Sequence, residues 1–364
     1  MRHHRAVEGV TAPVLRATQL SALHAVDGEL QISTIRMDAM AMGRLHGLDA
    51  VAVDRLGTVV MEMAGNIVRH AGVGHIIIRP VGDHATGCIE ILALDKGPGI
   101  ADMTRAMRVG RTPPGGIPLN GGLAAVRRLA DLFDIYSHPG RGTVVVAHVG
   151  AHAGRDAACR CADSAIHGSM GVVCVPLRGE EECGDAWAVD VAPGRLTALL
   201  VDGLGHGPGA AVAARAAMSV FRDAAAVAPE IMLSAMHAAL RDTRGAALSV
   251  TVVDQSRRTV RFSGVGNVDG RVVTADTNRH LVPQNGIVGH TMPRPNSQDA
   301  PWPTDGRLVM HSDGISSRWR ADHYPGLLAR HPALLAGVLF RDFARERDDA
   351  TVLVTRDTPP APTE

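Results

Sequence analysis

The 364-residue sequence is poor in aromatic residues and contains a single lysine. Aromatic side chains make up 3% of the chain and hydrophobic residues 46%, so we expect cores built from Ala, Val, Leu, Ile and Met. Lys96 is the only lysine, and it does not stand in a Gly-Lys-Ser/Thr motif. This excludes a Walker-type phosphate-binding loop. It also excludes a eukaryotic-type kinase, which needs a strand lysine together with its catalytic loop.

The chain also lacks an excess of charge and a long hydrophobic run. Lys plus Arg and Asp plus Glu both number 37, so nothing indicates binding to nucleic acid. No run of about 18 apolar residues is present to span a bilayer, and the start, Met1 to Arg5, lacks the apolar segment of a secretory signal. We therefore predict a cytoplasmic protein with no membrane or nucleic-acid partner.

Cysteine is scarce, and its count is odd, which fits a reducing compartment. The pair Cys159 and Cys161 has no second Cys/His pair at zinc-finger spacing. We therefore expect free thiols and no zinc site. The five cysteines are Cys88, Cys159, Cys161, Cys174 and Cys183.

The second half of the chain contains a set of acidic residues at the ends of strand-like segments. Asp202 follows the apolar run Leu196 to Leu200 and opens a Gly-rich turn. A single Asp-Gly pair is an ordinary turn signal. The ordered set instead predicts a pair of hard divalent cations, Mg²⁺ or Mn²⁺, which prefer oxygen ligands. The other members are Asp185 after Gly184, Asp313 after the strand-like Arg307 to Met310, and Asp348-Asp349 before the strand-like Ala350 to Thr355.

The first half contains a long amphipathic segment, Val51 to Ala71, whose apolar residues recur at helical spacing. Glu62, Asn66 and His70 are each four residues apart and share another stripe of that helix. A carboxylate and a carboxamide one turn apart can serve one site. The amide oxygen would bind a cation, and the carboxylate would contact a hydroxyl or a water. An ordinary polar helix face is the alternative.

Two glycine-rich segments follow this helix. The strand-like Cys88 to Leu94 ends in Asp95-Lys96-Gly97-Pro98-Gly99, and Asn120-Gly121-Gly122-Leu123 opens a helix predicted to run to Leu132. Glycines at a helix start let backbone N–H groups approach a phosphate, and the helix dipole favours the anion. The segment Thr112 to Gly116 reads as mobile.

The remaining pattern predicts an α+β protein of two domains. In the first half, Leu30 to Arg36 reads as a strand and Asp38 to Leu48 as a helix. In the second half, paired strands, two helices (208–226 and 229–241) and further strands suggest a β-sandwich flanked by helix pairs. Residues 279–305 read as a surface loop and Leu334 to Arg345 as a late helix. The predicted boundaries are an extension (1–28), a first domain (29–149), a linker (150–168), a second domain (169–356) and a disordered tail (357–364).

The ordered acidic motifs resemble those of the metal-dependent (PPM) Ser/Thr protein phosphatases, in particular the bacterial SpoIIE-like branch, over residues 168–356. The resemblance implies an αββα sandwich that dephosphorylates phosphoserine or phosphothreonine with two Mn²⁺ or Mg²⁺ ions. Asp185 and Asp202 would hold or bridge the ions and act in catalysis, and the Gly203 carbonyl, Asp313 and Asp348 would complete the cage. Asp349 is the alternative to Asp348 as a metal ligand. His206 and His311 adjoin the site, Arg178 is a candidate phosphate ligand, and Glu180 to Glu182 read as a solvated acidic run.

The first half resembles the GHKL (Bergerat-fold) ATP-binding domain of anti-sigma-type serine kinases, over residues 30–149. The resemblance implies an α/β sandwich that binds ATP with Mg²⁺. Glu62 would be the general base, Asn66 the Mg²⁺ ligand and Asp95 the acceptor for the adenine amino group. Gly97 and Gly99 would shape the base pocket, and Gly121, Gly122 and Leu123 belong to the phosphate-binding helix start. The last glycine motif departs from the fuller Gly-x-Gly pattern, and no phosphoacceptor-histidine helix pair precedes the domain.

Together the two resemblances imply a bifunctional partner-switching regulator. The expected partner is a STAS-domain phosphoprotein of the anti-anti-sigma type, with a sigma factor as a further candidate and a homodimer as a candidate assembly. In an alternative, the GHKL module binds a partner without phosphorylating it and only the phosphatase is active. A third reading reverses this, with a degenerate phosphatase and an active kinase.

Overall fold

The structure is a computed structural model that describes residues 21–81, 87–107, 122–151 and 168–357. Within these residues the chain forms three five-stranded antiparallel sheets. The first sheet belongs to the first half of the chain, and the other two belong to the second half. Helices cover the outer faces of this arrangement, and one further helix lies between the two halves. No helix in the described segments has the length and apolarity needed to cross a bilayer.

The first sheet has the order β1-β2-β3-β5-β4, with every neighbouring pair antiparallel. One of its faces packs against α1, α2 and α4 to form the first core. The elements are β1 (Ala22–Val26), α1 (Glu29–Leu45), α2 (Ala50–His70), β2 (Gly74–Val81), β3 (Cys88–Asp95), α3 (Met103–Ala106), α4 (Gly122–Leu129), β4 (Leu132–Ser137) and β5 (Thr143–Gly150).

Helix α2 forms where its apolar periodicity predicts it. The Asp49 side chain caps its N-terminus by accepting a 2.8 Å hydrogen bond from the Ala52 N–H. Leu56, Val60 and Met63 lie on its buried face against the first sheet. Glu62 and Asn66 lie half-buried on a neighbouring stripe of this helix, next to Gly122 at the start of α4.

The predicted strand at Leu30 to Arg36 is wrong, because these residues lie within helix α1. The β-branched Ile32, Thr34 and Ile35 favour a strand locally. Ile35 and Ala39 are four residues apart, however, and both are buried against α2 and the sheet. Tertiary packing of that helical face overrides the local preference.

The second half forms two facing sheets with the orders β13-β10-β9-β8-β7 and β12-β11-β14-β15-β6. A core that includes Trp187, Phe262 and Trp302 fills the space between them. The elements are β6 (Met170–Val175), β7 (Asp185–Ala192), β8 (Arg195–Gly203), α5 (Pro208–Ala224), α6 (Pro229–Ala239), β9 (Ala246–Asp254), β10 (Thr259–Val265), β11 (Asp269–Val273), β12 (Asn278–Leu281), β13 (Gln298–Pro301), β14 (Arg307–His311), α7 (Pro332–Phe343) and β15 (Ala350–Arg356).

Helices close both outer faces of this sandwich. Helices α5 and α6 pack on the sheet that contains β7 to β10. Helix α7 packs on the sheet that contains β6 and β15, and its opposite side contacts the open face of the first sheet through residues such as Leu94 and Val144. This layering confirms the α+β class with helices outside paired sheets.

Some predictions differ from the structure or fall outside it. The stretch 279–305 holds two short edge strands, β12 and β13, where the sequence predicts only a loop. Cys88 is disulfide-bonded, so the expectation of free thiols is wrong for it, whereas Cys174 and Cys183 are free. The predicted mobile segment at Thr112 to Gly116, Gly121, most of the linker and the tail after 357 lie outside the described residues.

Candidate active sites

The acidic residues of the second half meet at one end of the sandwich. Asp185 and Asp202 face each other across the β7–β8 pair, and the Gly203 N–H donates to the Gly184 carbonyl at 3.0 Å. Asp313 follows β14 and Asp348 precedes β15, the adjacent central strands of the facing sheet. The strand-end positions that the sequence singles out are therefore neighbours in space.

The electrostatics of Asp202 show that these carboxylates share one site. Burial, followed by the charges of Asp313 and Asp348, raises the pKa of Asp202 to about 7. Its Oδ2 atom is buried and has no hydrogen-bond partner among the described residues. Burial and then the charge of Asp202 raise the pKa of Asp185 well above its usual range. An unpaired buried carboxylate is costly unless a proton or a cation compensates it.

Burial is also the main cause that raises the pKa values of Asp313 and Asp348. Within the described segments, no three His, Cys, Asp or Glu side chains are already arranged as a complete metal cage. The group is thus an electrostatic cluster rather than a closed coordination shell.

The two neighbouring aspartates before β15 have different environments. Asp349 is 2% exposed, and its carboxylate accepts the backbone N–H of Leu177 at 2.6 Å and of Gly184 at 2.7 Å. Asp348 lies instead with Asp313 in an open cavity of about 590 Å³, which is also lined by Arg345, Glu346 and Arg347. Asp349 therefore fixes the loop that carries Asp185, whereas Asp348 lines a cavity beside Asp313.

Two polar residues orient the cluster. Ser312 donates its hydroxyl to Asp185 at 2.6 Å, and Asn267 donates its side-chain amide to Asp313 at 2.5 Å. Asn267 is a residue that the sequence reasoning missed, although the adjacent Gly266 and the Asp269-Gly270 pair two residues later give the same kind of signal as the other motifs. Gly203 must be a glycine, since a Cβ there would lie 2.5 Å from the Ala210 carbonyl oxygen.

The two histidines beside the site have structural partners. His311 is 2% exposed, accepts a 3.1 Å hydrogen bond from the Trp319 indole and lies 3.4 Å from Asp269. Burial alone would raise the pKa of Asp269, but the contacts with His311 and Arg271 lower it below its usual range. His206 contacts Glu180 at 2.7 Å at the surface. Glu182 pairs with Arg215 at 2.5 Å, and Arg178 is exposed.

The first candidate site is formed by α2, the end of β3 and the start of α4. A Cβ on Gly122 would lie 2.8 Å from Asn66 Oδ1 and 3.1 Å from Glu62 Oε2, so the start of α4 touches both side chains. Asn66 Oδ1 accepts from Arg69 at 2.8 Å, and the same guanidinium lies 3.8 Å from Glu62. Asn66 Nδ2 is buried without a hydrogen-bond partner in the described part of the chain.

Asp95 is held at the end of β3 by two backbone groups. Its Oδ1 accepts the N–H of Gly97 at 2.8 Å and of Thr143 at 3.2 Å. Burial raises the pKa of Asp95, and these hydrogen bonds oppose that rise. Gly97 lies so close to Ala71 that a Cβ would come within 2.7 Å of that side chain, which ties the Asp95 turn to the end of α2.

Gly99 and Leu123 complete the described part of this site. Gly99 has φ of +72°, and a Cβ would lie 2.2 Å from the His138 carbonyl oxygen, so only glycine fits. Leu123 packs half-buried against the first core. Gly121 lies outside the described residues. The structure thus brings Glu62 and Asn66 against Gly122, and it joins Asp95 and Gly97 to the end of the same helix.

Comparison with known proteins gives a match for each half. Residues 26–148 match the family described as histidine kinase-like ATPase domain, and residues 192–357 match the family described as stage II sporulation protein E. The serine/threonine-protein kinase RsbT of Bacillus subtilis is 40% identical over 101 residues, which is 28% of this chain and 74% of RsbT.

Solved structures also resemble parts of the chain. One from a study of the bacterial stressosome has 27% identity and a TM-score of 0.48, covering 52% of this chain and 98% of its own. RsbX in complex with magnesium has 19% identity and a TM-score of 0.46, covering 50% and 92%. The RsbU and RsbW domains of a Mycobacterium tuberculosis protein have 19% identity and a TM-score of 0.44, covering 53% and 62%.

The two family matches coincide with the two halves that the sheets define. The RsbT match falls on the half that contains Glu62, Asn66 and Asp95, and the sporulation-protein match spans Asp202, Asp313 and Asp348. The chain therefore belongs, through its first domain, to the histidine kinase-like ATPase family that includes RsbT, and it joins this domain to a second one that matches stage II sporulation protein E over residues 192–357.

Proposed function

We propose that the second domain removes phosphate from phosphoserine or phosphothreonine on a protein, with two Mn²⁺ or Mg²⁺ ions held by its strand-end carboxylates. The observation that carries this proposal is Asp202, whose buried Oδ2 has no partner and whose pKa is raised to about 7. Three further carboxylates share its surroundings. Such a group of oxygen ligands suits a hard divalent cation, which would replace the missing partner.

Each residue of the cluster has a role in this proposal. Asp185 and Asp202 lie on paired strands and can share ions, while Asp313 and Asp348 approach from the facing sheet. The Gly203 carbonyl is the backbone ligand. When bound, two such ions activate a water as nucleophile and offset negative charge on the phosphoryl group. Ser312 and Asn267 keep the carboxylates oriented through the hydrogen bonds described above.

The cavity next to the carboxylates has room for a phosphorylated side chain. Arg345 and Arg347 line it together with Asp313 and Asp348. Guanidinium groups at this position favour a phosphate dianion, whose charge would otherwise be repelled by the acidic cluster. Arg178 is exposed, and it does not belong to the residues that line this cavity.

For the first domain we propose ATP binding with Mg²⁺. Asp95 uses Oδ1 for its backbone hydrogen bonds, so Oδ2 is available to accept the adenine amino group. Gly97 and Gly99 shape the base pocket, and Gly122 places the start of α4 against Asn66, the proposed Mg²⁺ ligand. Glu62 beside Asn66 is placed to act as general base towards a protein hydroxyl. This arrangement supports serine-kinase activity as the second function of the chain.

A binding-only role of the first domain is the alternative, and one contact favours it. The Arg69 guanidinium donates to Asn66 Oδ1 and lies 3.8 Å from Glu62, which is the space that a Mg²⁺ ion on Asn66 would use. If Arg69 keeps this place, the domain can hold a partner but cannot transfer phosphate to it. Phosphotransfer therefore requires Arg69 to move away from Asn66.

The proposed partner is a STAS-type protein that carries the phosphorylated serine or threonine, with a sigma factor as a second partner of the first domain. The support is the similarity to RsbT, a serine/threonine-protein kinase. The test incubates the purified full chain with a STAS protein, once with ATP and Mg²⁺ and once in its phosphorylated form with Mn²⁺. The mass of the partner should rise by one phosphate in the first reaction and fall by one in the second. An unchanged mass with Mn²⁺ refutes the phosphatase assignment, and an unchanged mass with ATP leaves the binding-only role.

A further inference from the structure

Helix α7 lies between the two domains and contacts both. Its residues form one continuous core with Leu94 and Val144 of the first sheet and with Val173 and Val352 of the phosphatase sheet. The approach is close, because a Cβ on Gly337 would lie 3.0 Å from the Leu94 side chain and 3.1 Å from that of Val144. A helix packed on both sides in this way moves as a unit with its neighbours.

Near its C-terminal end, α7 places a buried arginine under the nucleotide site. Arg341 is 4% exposed and donates through Nη1 to the main-chain carbonyl of Asp95 at 2.9 Å. Asp342 fixes the guanidinium with two further hydrogen bonds, from Nε at 2.9 Å and from Nη2 at 2.8 Å. Tyr324 donates its hydroxyl to Asp342 at 2.8 Å. The first domain therefore receives part of its adenine-site support from the phosphatase domain.

The end of the same helix is fastened to the metal-site loop. The Phe343 carbonyl accepts the Ser316 N–H at 2.9 Å, and the Arg345 N–H donates to the Gly314 carbonyl at 2.7 Å. Ile315 and Ala344 form a β-bridge between these two hydrogen bonds. Asp313 directly precedes this clamp, and Asp348 lies three residues beyond it. Arg341, which contacts Asp95, and Arg345, which belongs to the clamp, are only four positions apart in the chain.

We propose that Arg341 is a positioning residue of the nucleotide site and that α7 couples nucleotide binding to the arrangement of Asp313 and Asp348. The inference rests on the proposed function, since it needs a nucleotide at Asp95 and a cation at the carboxylates. Base binding holds the Asp95 turn against Arg341, and this contact fixes the end of α7 and the clamp at Gly314. Nucleotide binding and cation binding therefore strengthen each other, and by linkage they do so by the same factor.

The test is a double-mutant cycle on the full chain, with a fluorescent ADP as probe and a fixed Mn²⁺ concentration throughout. Asp202→Asn removes the phosphatase-site cation without touching the nucleotide site. It should weaken ADP binding about fivefold or more, a typical size for coupling between sites. In an Arg341→Lys background, Asp202→Asn should have no further effect on the ADP Kd. Asp342→Asn, which keeps Arg341 but loosens its support, should give an intermediate factor.

Arg330→Ala is the matched control. Arg330 also spans the domain interface, with an ion pair to Asp134 at 3.3 Å, but it is 51% exposed and contacts neither site. In this background the coupling factor should equal that of the wild type. Thermal midpoints report whether each variant is folded, and the ratio of Kd values reports the coupling, which a purely structural role of Arg341 would leave unchanged.

The outcomes separate the inference from the proposed function. If the wild type and Asp202→Asn bind ADP with the same Kd, or if the factor survives in Arg341→Lys, the coupling is refuted while nucleotide binding stands. If the wild type binds no ADP at all, the nucleotide-binding part of the proposed function fails, and the inference fails with it.

Discussion

The two adjacent aspartates before β15 allow a sharp test of the phosphatase site, because their carboxylates have different surroundings in the structure. Asp349 accepts two backbone N–H groups, from Leu177 and Gly184, whereas Asp348 faces the cavity shared with Asp313. We predict that Asp349→Asn lowers the stability of the fold and that Asp348→Asn lowers cation affinity. The two substitutions are chemically identical and one residue apart, so each is the control for the other.

The magnitude for Asp349 follows from its two hydrogen bonds. The asparagine oxygen can still accept one N–H, but its amide group turns a donor towards the other. Hydrogen bonds to a charged group contribute about 1.5–3 kcal/mol each, and an unsatisfied buried donor adds about 1–3 kcal/mol. We expect a loss of roughly 2–4 kcal/mol in the free energy of unfolding. At about 2–4 °C per kcal/mol for a domain of this size, the midpoint of the phosphatase domain should fall by at least about 4 °C.

Asp348→Asn should leave the midpoint of the metal-free protein unchanged or slightly higher, because it removes one of the charges that repel Asp202. The Mn²⁺ concentration that gives half-maximal phosphatase activity should rise at least about tenfold, which is the usual cost of losing one group of a metal site. Calorimetry without metal and activity against Mn²⁺ concentration measure the two effects. A stable Asp349→Asn protein with impaired Mn²⁺ response, beside a normal Asp348→Asn protein, would reverse the assignment.

Three further predictions concern other buried groups. Asp202→Asn should raise the thermal midpoint of the metal-free protein more at pH 8 than at pH 6. The reason is that a carboxylate whose pKa is raised to about 7 destabilises the fold as pH rises through that value. Equal midpoint changes at both pH values would contradict this. Glu90→Gln should cost about 3–5 kcal/mol in urea unfolding, since it leaves the buried Arg79 without its 2.6 Å ion pair, and a change below about 1 kcal/mol would refute the reasoning. Gly122→Ala should weaken ADP binding at least about tenfold, because the new methyl group meets Asn66; an unchanged Kd would remove Gly122 from the nucleotide site.

The sequence predicts the helix and strand order well where periodicity and turn residues agree. The Asp185–Asp202 pairing could be anticipated because both residues stand at strand ends, and the structure shows them opposite each other. The strand predicted at Leu30 to Arg36 is wrong. The prediction gave more weight to the β-branched residues than to the four-residue spacing of Ile35 and Ala39, which are buried on one face of helix α1. Strands β12 and β13 were missed because they are four-residue edge strands among prolines and glycines.

The apolar sequence of helix α7 indicates that this helix is buried on all sides. It does not identify the surface of the first domain that covers the helix. Helix α7 is apolar on every side, from Pro332 to Phe340, and such helices are buried on all faces. Its contact with the first sheet depends on long-range packing that no local pattern specifies. The same holds for the contact of Arg341 with the Asp95 carbonyl and for the amide of Asn267 on Asp313.

The most direct test of the central claim is a calorimetric titration of the nucleotide-free, metal-free chain with Mn²⁺. The claim is that carboxylates far apart in the sequence jointly hold two cations. The wild type should bind two ions per chain, and Asp202→Asn should lose this binding while retaining a cooperative thermal transition. Wild-type protein that binds no Mn²⁺, or an Asp202→Asn protein that binds two ions with unchanged affinity, would contradict the account.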